Sequence, residues 1–311
     1  MMWSISGYKQ FIRCPHQWSL TNKVADDRVK NDPFRKEVTI LSKLQSVQAW
    51  RGSIVDDIIS RLLVNAINSK LSINKDYFLK EAFKKFDQQF EYAIFQKYRE
   101  TGIIYDDSSF AALFPVEFGW LNVNEDLQQA REDIRLALCN LLDNKELISY
   151  LKSSVKLVSQ RPLIYQYNQF SVKAKPDLIA FFNDKPPHIF DWKVHTYGTN
   201  TYDEQLVSYA VALYRVNQIK PHTDFPTNLS EYKLHDYKLT EYQLLHNERL
   251  RRDYIITEER LADFYTHLSS SMIDMFMAGA HKPYAEWGPE NYTTTDYPEN
   301  CRNCAFQKIC K

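Results

Sequence analysis

Two acidic residues and a lysine, placed in a stretch that reads as β-structure, constrain this chain more than any other feature. The pattern is Pro176-Asp177, thirteen intervening residues, and then Asp191-Trp192-Lys193. Successive side chains of a strand point to opposite faces of a sheet, so Asp191 and Lys193 share one face and Trp192 points away. Because Asp177 precedes a turn-linked return of the chain, an antiparallel neighbour brings it beside Asp191. The sequence therefore predicts two carboxylates that face one lysine.

This set of groups suits the hydrolysis of a phosphodiester bond. The reaction needs a hard cation, and the oxygens of Asp177 and Asp191 are ligands that Mg²⁺ and Mn²⁺ prefer. The Lys193 ammonium can orient or help deprotonate the attacking water, or stabilise the transition state. Taken alone, the pattern has a plainer interpretation, in which Asp177 is a turn residue and the other two line a solvated strand face.

Helical periodicity dominates the first half of the chain. Apolar residues recur at helical spacing over residues 37–70, 75–100 and 125–152. No repeat, low-complexity tract or Pro/Gly/Ser-rich linker marks a boundary between independent domains, so we expect one domain over residues 1–311. Its parts are an N-terminal element (1–36), a mostly helical region (37–155), a core (156–256), and a C-terminal helix and cysteine tail (257–311).

The second half carries strand signals. From Arg161 the chain consists of short segments rich in Tyr, Phe, Ile and Val between turn residues, which predicts a β-meander of about three strands. We expect a helix from Tyr202 to Arg215, further strands between Tyr232 and Ile256, and a helix capped by Thr257. The fold class is α/β (α+β), with a small mixed sheet flanked by helices.

Composition narrows the functional classes. Lys+Arg and Asp+Glu balance at 39 each, so any nucleic-acid contact must come from a local basic patch. Only 7 glycines occur, and no Gly-rich phosphate loop of the P-loop or Rossmann type is present. No run of about 18 uncharged apolar residues and no secretory pattern is found, so we expect a cytoplasmic protein without membrane association.

The carboxylate and lysine pattern resembles the signature of the PD-(D/E)XK nucleases. In addition, Gln205 and Tyr209 resemble the Q-x3-Y motif of the RecB-like branch of that superfamily, and their spacing of four places both on one helical face. The resemblance implies a restriction-endonuclease-like core and a catalytic set of Asp177, Asp191, Lys193, Gln205 and Tyr209. It further implies that the glutamine positions the lysine and the substrate strand, and that the tyrosine lies near the DNA backbone. An amphipathic core helix is the alternative interpretation of the glutamine and tyrosine.

A helix upstream carries a departure from the family pattern. The family has a histidine metal ligand four residues after a glycine, whereas here Gly52 is followed at that spacing by Asp56. Helical geometry places Asp56 at the edge of the apolar stripe and Asp57 outside it, where it can pair with Arg61. Because a carboxylate is a competent ligand for Mg²⁺ or Mn²⁺, we expect Asp56, Asp177 and Asp191 to form the metal site.

The cysteines form a second set of candidate ligands. Cys301, Cys304 and Cys310 stand close together at the C-terminus and Cys14 stands near the other end. Four thiolates satisfy the ligand count of a [4Fe-4S] cluster or of tetrahedral zinc, and unrelated cysteines are a third possibility. Their positions resemble those in the iron-sulphur nucleases of the RecB-like branch, which include CRISPR-associated adaptation nucleases and AddB-type subunits. That resemblance implies a cluster that staples the two ends of the chain together. Cys139, in an apolar helix, is expected to be a core residue.

The expected partner is DNA, either single-stranded or at its ends. The resemblance favours an exonuclease-like action, with protein partners in a repair, CRISPR or defence complex. Basic and aromatic residues are candidates for contacts with the strand: Lys173, Lys175, Lys193 and Tyr197 in one group, and Arg249, Arg251, Arg252 and Tyr254 in another. Two alternatives remain open, namely a catalytically inactive nuclease-fold protein that binds DNA or scaffolds a complex, and a zinc-stabilised interaction domain.

Overall fold

The structure, a computed structural model, describes residues 1–29, 31–100, 107–120, 122–195, 203–226, 231–246 and 251–310, with the backbone alone at 123 and 124. Within these ranges it is a mixed α/β fold with small mixed sheets flanked by helices, which confirms the predicted fold class. None of the described helices combines the length and the apolar character that a membrane span requires.

The first half of the chain is mostly helical. Its elements are β1 (Met2–Trp3), α1 (Ile5–Arg13), α2 (Pro15–Ser19), α3 (Pro33–Ser42), α4 (Val47–Ile58), α5 (Val64–Asn68), α6 (Lys75–Ile94), α7 (Phe114–Glu117), α8 (Val123–Leu142) and α9 (Lys145–Lys152), with π-helical turns at Leu20–Val24 and Ile59–Leu63. Side-chain caps set several helix starts, because the first backbone N–H groups of a helix lack partners. Ser4 accepts a hydrogen bond from Gly7 N (3.1 Å) and Ser46 accepts one from Ala49 N (3.1 Å).

The second half holds the sheets. Its elements are β2 (Lys156–Ser159), β3 (Leu163–Tyr167), β4 (Phe170–Ala174), β5 (Leu178–Phe181), β6 (His188–Lys193), α10 (Asp203–Ile219), β7 (Lys238–Gln243), β8 (Arg251–Tyr254), α11 (Glu258–Met277) and α12 (Pro298–Arg302). In the described residues, the larger sheet has the order β2-β5-β6-β7-β8 and the smaller one β1-β4-β3. The β6–β7 pair is parallel, and so is the β1–β4 pair, whereas the other pairs are antiparallel.

Two apolar cores meet at the larger sheet. One lies on the side of the helical region and includes Phe190 and Trp192 of β6 together with Trp50, which stacks on Phe86 at 4.6 Å between ring centroids. The other includes Ile189 of β6 and the buried face of α10. Helix α10 contacts β6 and β7 on one side and β3 and β4 on the other. Strand β6 is therefore buried from both faces.

A buried ion pair joins the helical region to the end of β6. Arg51 of α4 pairs with Asp133 of α8, and Arg51 Nη2 donates to the carbonyl of Val194 at 3.3 Å. Gln129 Nε2 donates to the other oxygen of Asp133 at 2.8 Å, so that carboxylate has partners at both oxygens. Burying such charges is tolerated only when they are paired, and the pair fixes α4 relative to the strand that carries Asp191.

The sequence predicted the helices better than the strands. The 37–70 helix divides at Ser46, the 75–100 helix ends at Ile94, and the helix predicted from 202 to 215 runs over Asp203–Ile219. Thr257 caps α11 as predicted, its Oγ1 accepting from Arg260 N at 3.2 Å. The three-strand meander is wrong: from Arg161 to Lys193, all of it described, four strands form and they belong to two sheets. Strand β5 is buried along its whole length, so it lacks the alternation that identifies half-buried strands.

Candidate active site

The β5–β6 pair brings the two aspartates of the sequence pattern together. Leu178 pairs with Phe190 in the antiparallel ladder, so Asp177, just before β5, lies beside the end of β6. The backbone N–H of Trp192 donates to Asp177 Oδ2 at 2.9 Å. Asp191 is 1% exposed, and its Oδ2 lies 2.5 Å from Lys193 Nζ. Trp192 points to the opposite face and packs in the core of the helical region, as strand alternation predicted.

Helix α10 places the glutamine and the tyrosine against the same carboxylate. Gln205 Nε2 donates to Asp191 Oδ1 at 3.3 Å and also to the hydroxyl of Tyr209, one helical turn further along. Tyr209 is buried, and burial together with the negative charge of Asp191 raises the pKa of its hydroxyl. The hydroxyl is therefore a neutral hydrogen-bonding group.

Helix α4 contributes Asp56. This partly buried carboxyl lies close enough to Asp177 and Asp191 for their charges to act on it, and the pKa of Asp56 is raised well above its ordinary value by burial first and by these two aspartates next. Asp57 turns away, and its Oδ2 lies 3.3 Å from Arg61 Nε and 2.9 Å from Lys85 Nζ. The structure thus has the predicted arrangement of the two neighbours, in which Asp56 faces the other aspartates and Asp57 pairs with Arg61.

The three aspartates repel one another in a buried place. Burial first and the charge of Asp177 next raise the pKa of Asp191 to about 7, and Lys193 opposes the increase. Burial also raises the pKa of Asp177, against the hydrogen bond from the Trp192 backbone and the charge of Lys193. The ammonium of Lys193 and, near Asp56, that of Lys175 do not balance three ionised carboxyl groups, so full ionisation leaves an excess of negative charge. A further cation at this place would relieve it.

Sequence reasoning missed two residues that act on the aspartates, one by hydrogen bonds and one by its charge. Gln160 binds both the side chain and the backbone of Asp177. Its Nε2 donates to Asp177 Oδ1 at 3.1 Å, and its backbone N–H donates to the carbonyl oxygen of Asp177 at 3.1 Å. Gln160 has a φ of +51°, a left-handed conformation that is uncommon for a residue with a side chain. No sequence signal marks this residue, because its role depends on the pairing of β2 with β5.

Glu241 is the second missed residue. It stands opposite Asp191 in the parallel β6–β7 ladder, and its side chain is completely buried. Tyr254 donates to Glu241 Oε2 at 2.9 Å, Gln243 donates to Oε1, and Arg252 Nη1 lies 3.9 Å from the same oxygen. Glu241 also raises the pKa of Asp191. The available sequence signal was a glutamate within the run Lys238–Gln243. Because that run is buried on both faces, it shows no alternation of apolar and polar residues from which the position of Glu241 could be predicted.

The donor chemistry of the aspartates fits a hard divalent cation, although their present positions do not enclose one. Among the described residues, no three Asp, Glu, His or Cys side chains are arranged closely enough to hold a metal ion. Asp191 Oδ2 is nevertheless fully buried and accepts no well-directed hydrogen bond, even with the Lys193 ammonium beside it. A buried carboxylate oxygen of this kind is the type of ligand that Mg²⁺ takes. Asp56, Asp177 and Asp191 would be the residues that hold such an ion.

The four candidate cysteines line one cavity of about 280 Å³ between the two ends of the chain. Cys14 is buried and caps α2, its Sγ accepting from Gln17 N at 3.4 Å. Burial raises the pKa of the Cys304 and Cys310 thiols, and the charges of the other cysteines raise it further. The cavity thus gathers soft thiol donors that suit an iron-sulphur cluster or zinc. Cys139 is partly buried rather than in a core, so that expectation is wrong in part, because the residue points about 100° away from the buried Leu138 around α8.

Two of the residues predicted to contact the strand, Tyr197 and Arg249, lie outside the described residues. Comparison with known families gives one result: the model described as the PD-(D/E)XK nuclease superfamily matches residues 2–311, nearly the whole chain. A search of curated proteins finds no match.

Proposed function

The chain belongs to the PD-(D/E)XK nuclease superfamily, and from that premise we propose that it is a metal-dependent deoxyribonuclease that hydrolyses phosphodiester bonds. Members of this superfamily are generally nucleases, and so the coarse function follows from membership. The observation that carries the proposal is the convergence of Asp177, Asp191 and Lys193 at the end of the β5–β6 pair.

The metal in this proposal is Mg²⁺ or Mn²⁺, held by Asp56, Asp177 and Asp191. When bound, such an ion neutralises charge on the phosphate and makes a water molecule more acidic. The raised pKa values of Asp56 and Asp191 support the assignment, because after burial the next cause is the charge of neighbouring aspartates, and such crowding of negative charge favours a cation.

The side chains around the aspartates have roles of their own. Lys193, 13% exposed, would place its ammonium beside the attacking water or the phosphate oxygens and stabilise the negative charge that develops there. Gln205 would hold Asp191 and Tyr209 in fixed orientations through its amide nitrogen. Tyr209 would donate a hydrogen bond from its neutral hydroxyl to the backbone of the DNA strand.

We further propose a RecB-like enzyme that trims single-stranded DNA or DNA ends in an exonuclease-like manner, with protein partners in a repair, CRISPR or defence complex. The resemblance of Gln205 and Tyr209 to the motif of that branch supports this part. The branch has a histidine at the position of Asp56. The same replacement is expected in a catalytically inactive protein of this fold that binds DNA or scaffolds a complex. Activity therefore has to be measured.

The test is Mn²⁺-dependent degradation of end-labelled single-stranded DNA. We expect wild type to degrade the strand and Lys193→Ala to lose activity by roughly 10²- to 10³-fold, since removal of one transition-state donor has that effect in other enzymes. Lys185→Ala, an exposed lysine in the turn at the other end of β6, is the matched control and should retain activity. If wild type and Lys193→Ala behave alike, the catalytic assignment is wrong.

For the cysteine cavity we propose a [4Fe-4S] cluster held by Cys14, Cys301, Cys304 and Cys310, with zinc as the alternative. The shared cavity and the thiol donors support it. Anaerobically purified protein should be brown, with visible absorbance and bound iron, and Cys304→Ser should lose both. Cys139→Ser, which lies away from the cavity, is the control. Colourless protein that contains zinc and no iron would exclude the cluster.

A further inference from the structure

A cavity of about 350 Å³ adjoins the candidate active site, and we call it the lysine cavity. Its lining comes from the start of α1, the end of β4 and the first turns of α10: Ser4, Ile5, Ser6, Lys9, Lys173, Ala174, Lys175, Gln205, Ser208 and Tyr209. The volume falls within the range of small-ligand pockets, roughly 300–1,000 Å³. Gln205 and Tyr209 are shared with the site, so the cavity lies one side chain away from Asp191.

The charge of this lining is entirely positive. Lys9, Lys173 and Lys175 contribute three ammonium groups, and none of the described residues that line the cavity is acidic. Among the carboxylates in the described part of the chain, none lies within salt-bridge distance of these three lysines. Three cations around one cavity repel each other, and an anion between them would remove the repulsion.

Helix α1 adds to the positive potential. Its first turn contains no acidic residue, and Ser4 and Ser6 at that end of the helix line the cavity. The helix has nine residues, and although Ser4 Oγ caps the N–H of Gly7, the dipole at this end of the helix favours a negatively charged ligand.

Ser208 supplies an observation independent of charge. The residue is 4% exposed and lines the cavity, and no hydrogen bond in the described residues involves its hydroxyl. A serine buried in a helix ordinarily bonds to a nearby carbonyl or to a ligand, and this one is available to a ligand in the cavity.

We infer that the lysine cavity binds a phosphate group of the nucleic-acid strand, next to the phosphodiester that the aspartates act on. The inference rests on the proposed nuclease function. It assigns Lys9, Lys173 and Ser208 to the substrate-binding surface, and it makes the N-terminal helix part of that surface rather than only a support for the cysteine cavity.

Binding in the absence of divalent metal separates this inference from catalysis. The anisotropy of a short labelled oligothymidylate is measured in EDTA over a range of salt concentrations, for wild type and for Lys9→Ala/Lys173→Ala. We expect the double variant to bind at least roughly tenfold more weakly, because the loss of a single charged hydrogen bond already has about that effect. The slope of log Kd against log salt should fall by about 0.7 for each phosphate that the variant no longer neutralises. Lys175 is left in place because its charge also acts on Asp56.

Lys80→Ala/Lys84→Ala, two exposed lysines on α6, is the matched control for the change in bulk charge and should bind like wild type. Ser208→Ala should bind about two- to tenfold more weakly with an unchanged salt slope, since it removes a neutral donor. Circular single strands distinguish an internal phosphodiester from a terminal phosphate. If the double variant binds circles more weakly than wild type does, the cavity holds an internal phosphodiester. If the loss is restricted to linear strands with a terminal phosphate, the cavity holds that terminal phosphate. Equal weakening in the two double variants, or no weakening in either, would overturn the inference whatever the hydrolysis assay shows.

Discussion

The clearest consequence of the crowded carboxylates is that replacing Asp191 should stabilise the metal-free protein. Asp191 is 1% exposed, and burial with the nearby charge of Asp177 raises its pKa to about 7. In the unfolded chain the carboxyl is fully hydrated and ionises at its ordinary pKa. The folded state therefore holds a proton that the unfolded state has already released, and stability falls as the pH rises from about 4 to about 7.

The size of the effect follows from the two pKa values. A difference between 3.8 and about 7 corresponds to about 4 kcal/mol above pH 7, at roughly 1.4 kcal/mol for each pH unit. At pH 5 only about 1–2 kcal/mol of this penalty is present, because the folded carboxyl is still almost fully protonated there and the pH is only about one unit above the pKa of the unfolded group. Asp191→Asn keeps the shape of the side chain and removes the charge. Its free energy of unfolding relative to wild type should increase by about 2–3 kcal/mol between pH 5 and pH 8.

Urea denaturation in chelator at the two pH values measures this difference. Asp57→Asn is the matched control: its carboxylate contacts Arg61 and Lys85, so its removal should give no gain at pH 8. Adding Mg²⁺ should stabilise wild type more at pH 8 than at pH 5 and should stabilise Asp191→Asn less, because metal binding requires ionised ligands. A relative stability of Asp191→Asn that does not change with pH would refute the argument that Asp191 carries the burial penalty.

Two other perturbations test the surroundings of the site. Glu241→Gln removes a buried charge that raises the pKa of Asp191, so the acid limb of the pH profile of hydrolysis should move to lower pH; an unmoved limb, with stability reduced by about 1–3 kcal/mol, would limit Glu241 to a structural role. Oxidative loss of the cluster from the cysteine cavity should lower Tm markedly because the cluster would join Cys14 to the C-terminal tail, and an unchanged melting curve after verified loss of iron would contradict the staple.

The parts of the site that sequence could predict are those governed by local periodicity. Alternation along a strand placed Asp191 and Lys193 on one face, and helical spacing separated Asp56 from Asp57. Both rules act over a few residues, so they need no knowledge of the rest of the fold.

The parts that sequence could not predict depend on pairing between distant segments. Strand β1 at the N-terminus pairs with β4, which is how Lys9 and Lys173 come to line one cavity. Glu241 lies beside Asp191 because β6 and β7 are parallel, and a parallel pair requires a long crossover, here one that includes α10. Neither pairing, β1 with β4 or β6 with β7, can be predicted from the local pattern of apolar and polar residues. The missing alternation in the doubly buried β5 and β7 has the same origin, since the layers on both sides are remote in sequence.

The position of β6 explains how a fold of this size tolerates an unfavourable acidic cluster. Phe190 and Trp192 pack into the helical core on one face and Ile189 into the α10 core on the other, so the strand that carries Asp191 is held by apolar contacts rather than by its charges. Full burial of side chains of this size contributes roughly 1.5–3 kcal/mol each, enough in sum to exceed the penalty of about 4 kcal/mol at Asp191. The apolar contacts therefore keep the three like-charged carboxyl groups close together until a cation binds. It follows that truncating Phe190 should weaken metal affinity as well as stability, because the ligands would then relax apart instead of being held together.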